Sequence, residues 1–172
     1  MSDFRIDSHK LNFHPERVAQ WRDADTWEKA KEVFPIYVEV SPSGACNHRC
    51  TFCAVDYIGY KPILMNSYIM GRMIAEMGAC GVKSIMFGGE GEPLLHKGMD
   101  AAVRAVKRAG MDAAFTTNGT LLDHLETVHA CTWIKVSVNA GTKDTYAKVH
   151  KAKEGDFDKV WRNIREAAKR KG

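Results

Sequence analysis

An α/β fold, with strands and helices alternating around a parallel sheet, is what this 172-residue chain predicts. Three observations carry that expectation. Short β-branched and aromatic runs recur between longer stretches of helical periodicity, and the short connections between them call for a parallel sheet with right-handed crossovers. Each strand ends on a glycine-rich or polar loop. Hydrophobic residues at 45% and charged ones at 27% are ordinary for a globular chain able to bury a core, and no apolar run approaches the ~20 residues of a membrane span.

Residues 1–34 read as a leader and residues 35–172 as the core. Positions 1–13 are polar and mixed, with poor order expected. Pro15 suits the first position of a helix carrying Val18 and Trp21, and Trp27, Ala30, Val33 and Phe34 continue a helical pattern to Pro35. This leader is expected to pack on the outside or bottom of the core.

The first strand spans Pro35 to Ser41, and Pro42-Ser43-Gly44 leads out of it as a loop. Helical spacing then returns in Ile69, Met70, Met73, Ile74 and Met77, with Asn66 or Ser67 as the cap and Gly78 near the end. Ser84-Ile85-Met86-Phe87 is the second strand, and Ala102, Val103, Val106 and Ala109 form a helix closed by Gly110. Ala113 to Thr116 is the third strand, with a helix expected through Leu121, Leu122, Leu125 and Val128. The fourth runs from Ile134 to Asn139, and a last helix places Phe157, Val160, Trp161, Ile164 and Ala168 on its buried face. Aspartates at the start of that helix and Lys169, Arg170 and Lys171 at its end match the helix dipole.

Chemistry concentrates just past the first strand, in Cys46-Asn47-His48-Arg49-Cys50-Thr51-Phe52-Cys53. Three close thiolates can hold an iron–sulfur cubane with one iron open, or bind zinc with His48 or water completing a tetrahedron. Ligand type alone leaves both open. The cysteines lie beyond the C-terminal end of a strand, where parallel α/β folds keep their sites.

The cysteine spacing, with aromatic Phe52 before the last cysteine, resembles the signature of the radical S-adenosylmethionine (SAM) superfamily. Gly88-Gly89-Glu90-Gly91-Glu92-Pro93 after the second strand is similar to that family's Gly-Gly-Glu-Pro element, Thr117-Asn118-Gly119 after the third is a turn common in it, and Ser137 and Asn139 stand where members often bind the SAM ribose. The resemblance implies a partial (β/α) barrel, here with four of the six βα units, and a [4Fe-4S] cluster on Cys46, Cys50 and Cys53. It implies that SAM is held by Phe52, Gly88, Gly89, Glu90, Gly91, Glu92, Thr117, Asn118, Ser137 and Asn139. The repeated Gly-Glu aligns in two ways, and Glu92 is favoured as the residue facing the SAM ammonium because Pro93 follows it. Glycines 88, 89 and 91 are expected to let the backbone approach the ligand.

The activity implied is reductive SAM cleavage to a 5′-deoxyadenosyl radical that abstracts hydrogen from a small-molecule or peptide substrate, with a flavodoxin or ferredoxin as reductant. The lead-in to the cysteines resembles members with a SPASM-like C-terminal region, which this sequence does not include. A non-catalytic cluster-binding or electron-carrying module is the alternative, and a structural zinc protein the next. With four strands found where the resemblance implies six, a truncated product, a partner chain completing the sheet and a fold with an open edge are the alternatives.

Five cysteines, three of them in one motif, argue for a reducing cytoplasm. Cys80 and Cys131 read as packing residues or free thiols, and His96 as a surface histidine. The net charge of +4 sets 25 basic residues against 21 acidic ones, which argues for solvated faces and against a nucleic-acid partner.

Overall fold

The computed structural model describes residues 7–59 and 62–171. Four strands, β1 (Tyr37–Val40), β2 (Ser84–Phe87), β3 (Asp112–Thr117) and β4 (Trp133–Val136), form one parallel sheet in the order β1-β2-β3-β4. Seven α-helices accompany them: α1 (Pro15–Arg22), α2 (Trp27–Ala30), α3 (Ala54–Ile58), α4 (Ser67–Ala79), α5 (Met99–Arg108), α6 (Lys143–His150) and α7 (Glu154–Lys171). The alternation expected of the sequence is therefore largely present, with four parallel strands, although 3-10 turns stand in place of an α-helix between β3 and β4.

Strand periodicity sorts the two faces of the sheet. Val38 and Val40, Ile85 and Phe87, Ala113 and Phe115, and Ile134 and Val136 lie two residues apart on each strand, and all belong to the hydrophobic core or pack against it. Opposite them, Met70 and Ile74 of α4, Val103 and Val106 of α5 and Ala167 of α7 complete the core. Phe87 and Phe115 meet with ring centroids 5.3 Å apart. The other face carries Tyr37, Glu39, Ser84, Met86, Asp112, Ala114, Thr116, Trp133 and Lys135.

Caps fix the helices. Asn66 Oδ1 accepts from the backbone N–H groups of Tyr68 and Ile69 at 2.9 and 3.2 Å, which makes Asn66 the α4 cap. The stretch after β3 departs from the helix expected there and forms two 3-10 segments, Leu122–His124 and Glu126–Ala130. Leu122, Leu125 and Val128 are buried at a spacing of three, the 3-10 period, and Leu125 is extended between the segments. Asp100 of α5 holds the second segment by accepting from Thr127 N and Oγ1 at 2.8 and 2.7 Å.

In α7 the buried face carries Val160, Asn163 and Ala167, so Trp161 and Ala168, expected inside, are exposed. Asn163 is inside because its amide donates to the carbonyls of Gly119 and Thr120, at 2.9 and 3.2 Å. β4 stops at Val136, short of the Asn139 expected to end it.

The leader passes under the N-terminal ends of the strands. Arg17 of α1 donates to the carbonyls of Phe34 and Gly81, and the His9 ring stands 5.5 Å from Tyr37 and 6.1 Å from Trp133, the first residues of β1 and β4. Residues 7–13 take up two short 3-10 turns here, in place of the disorder expected; residues 1–6 lie outside the described part. With the bottom occupied, the strand C-termini form the other end of the sheet.

Candidate active site

Loops from all four strand ends, with α6, enclose a cavity of about 190 Å³ lined by Cys46, His48, Cys50, Phe52, Cys53, Gly89, Glu90, Gly91, Glu92, Thr116, Thr117, Asn118, Ser137, Asn139 and His150. Of the residues singled out in the sequence, only Gly88 is not in its wall. Gly88 follows β2 directly, and a Cβ there would come 2.8 Å from Met86 Sδ.

The glycine-rich loop has its own structural logic. A Cβ on Gly91 would lie 2.3 Å from the Ala45 carbonyl oxygen and 2.4 Å from that of Ser43, and one on Gly89 (φ +97°) would lie 2.6 Å from Ser41 Cβ. The close approach that requires glycine is thus made to the loop feeding the cysteines. Glu92 N donates to the Ala45 carbonyl at 2.9 Å, fastening the two loops together.

Glu92 is 2% exposed, and its oxygens are taken by protein donors. Thr117 Oγ1 donates to Oε1 at 2.6 Å, Leu94 N to Oε1 at 3.1 Å, and Asn118 N to Oε2 at 2.7 Å. Burial raises its pKa against the opposing pull of these hydrogen bonds. Thr117 and Asn118 are likewise engaged. Thr117 Oγ1 accepts from Gly119 N at 3.0 Å, while the Asn118 amide donates to Asn47 Oδ1 and its oxygen accepts from Thr120 Oγ1, at 2.8 and 2.7 Å. Glu90, by contrast, is exposed at the cavity wall, and its backbone N–H is fixed by Ser41 Oγ at 3.2 Å. Asn139 adopts left-handed backbone geometry (φ +50°), which asparagine tolerates better than most residues.

All three motif cysteines are half-buried and free. Burial first, then the neighbouring Cys46 and Cys53, pushes the Cys50 thiol up to about 11, and burial likewise raises Cys46. Among the described residues, one set of three or more His, Cys and carboxylate donors has all its ligand atoms within 4.8 Å of one another, namely His48, Cys50 and His150. The three motif sulfurs share the cavity wall with that set.

One histidine enters the site unannounced by any spacing. His150 is brought in by α6, a helix absent from the expected elements; its Nδ1 lies 3.2 Å from Cys50 Sγ and its Nε2 donates to the Val138 carbonyl at 2.7 Å. Tyr146, one turn earlier, stacks on it at 4.4 Å, and Phe52 meets its edge at 5.9 Å. The end of α6 also anchors the cysteine loop, since Arg49 N and Thr51 N donate to the carbonyls of His150 and Val149 at 3.1 and 2.8 Å. His96, expected at the surface, is 5% exposed; Nε2 donates to the Met65 carbonyl at 2.8 Å and Nδ1 accepts from Gly98 N at 3.1 Å.

The sequence profile of the Radical SAM superfamily matches residues 40–172. The chain belongs to the radical SAM superfamily. Similar curated proteins include a GTP 3′,8-cyclase of Rhizobium etli, 32% identical over 140 residues (77% of this chain and 40% of that protein), and one of Chlorobaculum tepidum, 38% identical over 89 residues (51% and 27%). The chain thus spans less than half the length of the curated relatives it matches. Among solved structures, Streptococcus suis SuiB bound to its precursor peptide SuiA superposes with a TM-score of 0.64 at 17% identity, covering 91% of this chain and 35% of that one. The structure of anSMEcpe with bound AdoMet gives 0.61 at 20% identity, with 80% of this chain and 42% of that one covered. These likenesses show the partial (β/α) barrel of the superfamily, whose members use a [4Fe-4S] cluster and SAM.

Proposed function

We propose that this chain is the SAM-cleaving core of a radical SAM enzyme, with Cys46, Cys50 and Cys53 as the ligands of a [4Fe-4S] cluster. The observation that supports it most is the convergence of the three motif cysteines with the loops of all four strands on one cavity. When bound, the reduced cluster supplies the electron that splits a carbon–sulfur bond of SAM and releases a 5′-deoxyadenosyl radical to abstract hydrogen from the substrate. The chain's own residues do the positioning. Glu90, exposed at the wall, is placed to accept charge-assisted hydrogen bonds from the SAM ammonium, and Ser137 and Asn139 to meet its ribose. Glu92, Thr117 and Asn118 act from behind, holding the glycine-rich loop, the cysteine loop and the β3 loop in one arrangement.

The substrate is a small molecule or a peptide. Proteins similar to this one are named for a reaction of GTP or were solved with a precursor peptide. A flavodoxin or ferredoxin is the reductant.

Anaerobic reconstitution with iron and sulfide, reduction in the presence of SAM and assay for 5′-deoxyadenosine test the proposal. Product is expected from the wild type and none from Cys50→Ala. A brown protein that yields none would favour the electron-carrying module.

A further inference from the structure

Beside the cysteine triplet lies a donor set of different composition. His48 is 2% exposed, yet both of its ring nitrogens are buried without a hydrogen-bond partner. A buried polar group left unsatisfied is costly, so two on one ring need a reason. His150 supplies the complementary half. Because its Nε2 donates to the Val138 carbonyl, Nδ1 is left bare toward Cys50, the way outer-shell carbonyls orient metal-binding histidines. The ligand atoms of His48, Cys50 and His150 lie within 4.8 Å of one another, compact enough for one ion. Asp156 adds a carboxylate 3.7 Å from His48 Nε2, and the ring of Tyr146 keeps His150 in place by stacking.

From this geometry we infer a mononuclear divalent-metal site on His48, Cys50 and His150, taking Zn²⁺ or a metal of similar borderline softness. Two imidazoles, one thiolate and a solvent position make an ordinary tetrahedral zinc set. Binding displaces the Cys50 thiol proton to solvent and involves no redox change. Backbone contacts prearrange the site, since Arg49 N and Thr51 N latch the cysteine loop to the end of α6. Its consequence rests on the cluster reading above: Cys50 belongs to both sites, so the ion and the cubane exclude each other, and zinc-loaded protein takes up no iron until a chelator removes the zinc.

Cobalt(II) titration of the iron-free protein under anaerobic conditions tests the site without the cluster. Sulfur-to-cobalt charge transfer and four-coordinate ligand-field bands are expected, kept when Cys46 and Cys53 are both changed to Ser. His48→Ala, Cys50→Ser and His150→Phe, the last retaining the stack on Tyr146, should weaken binding by at least the ~100-fold that loss of an outer-shell partner can reach. X-ray absorption on the wild-type zinc complex, which needs no variant, should show one sulfur and two imidazole nitrogens. Two or three sulfurs, loss of the bands in the Cys46/Cys53 variant, or no cobalt bound would overturn the inference. Failure of iron uptake or SAM cleavage would leave these results unchanged, so the two proposals fail separately.

Discussion

Glu92 shows how one buried carboxylate can organise three loops, accepting from Thr117, Leu94 and Asn118. Replacing it with Ala strands the N–H groups of Leu94 and Asn118 in the interior, and at ~1–3 kcal/mol for each unsatisfied donor the variant should lose about 2–5 kcal/mol, read by urea unfolding. The pH dependence has a definite sign. Because burial raises its pKa above the ordinary 4.5, the folded state holds the proton more tightly than the unfolded chain. Its stabilising effect is therefore full below 4.5 and declines as pH rises through the folded value. Subtracting the stability–pH curve of Glu92→Gln from that of the wild type should expose this decline; a difference that grows with pH would refute it. Gly91 gives a sharper steric case. All three atoms that its Cβ would strike belong to backbone, so Gly91→Ala should cost about 3 kcal/mol and impair iron loading, while Gly141→Ala, with nothing within 4 Å, should change neither.

At the scale of elements, the two glycines of α4 separate propensity from packing. A Cβ on Gly71 meets nothing within 4 Å, so Gly71→Ala should stabilise by ~0.5–1 kcal/mol in thermal or urea unfolding. On Gly78 it would come 2.9 Å from Ala109 Cβ at the end of α5, so Gly78→Ala should destabilise by ~1–3 kcal/mol as the helices part. Elements with strong periodicity and their own caps were legible in the sequence: β2 over Ser84–Phe87, α4 with its Asn66 cap, and α5 ahead of Gly110. Elements decided by neighbours were not. The stretch around Leu122, Leu125 and Val128 has the burial a helix would need, but Asp100 pulls Thr127 into a separate turn. α6 offered too short an apolar pattern to notice, and with it His150 went unseen, because its approach to Cys50 across 100 residues is purely tertiary. The motif residues themselves converge on one cavity, as their order after successive strands suggested, whereas the burial and hydrogen bonding of Glu92 against the exposure of Glu90 could not be read from the repeated Gly-Glu.

Across the whole molecule, the two ends of the sheet serve different purposes. The leader packs on one, and the cysteine loop, the glycine-rich loop and α6 build the other from contacts that involve no metal. Iron-free protein should therefore keep the far-ultraviolet circular dichroism of the iron-loaded form, in contrast to small zinc domains that unfold without their ion. No helix among the described residues is long and apolar enough to cross a membrane. The central claim is that Cys46, Cys50 and Cys53 hold a cluster with one iron left for SAM, and electron paramagnetic resonance of the reduced, reconstituted protein addresses that iron directly. The account predicts a [4Fe-4S]⁺ signal whose g-values shift on adding SAM; a signal indifferent to SAM, or protein that takes up no iron, would contradict it.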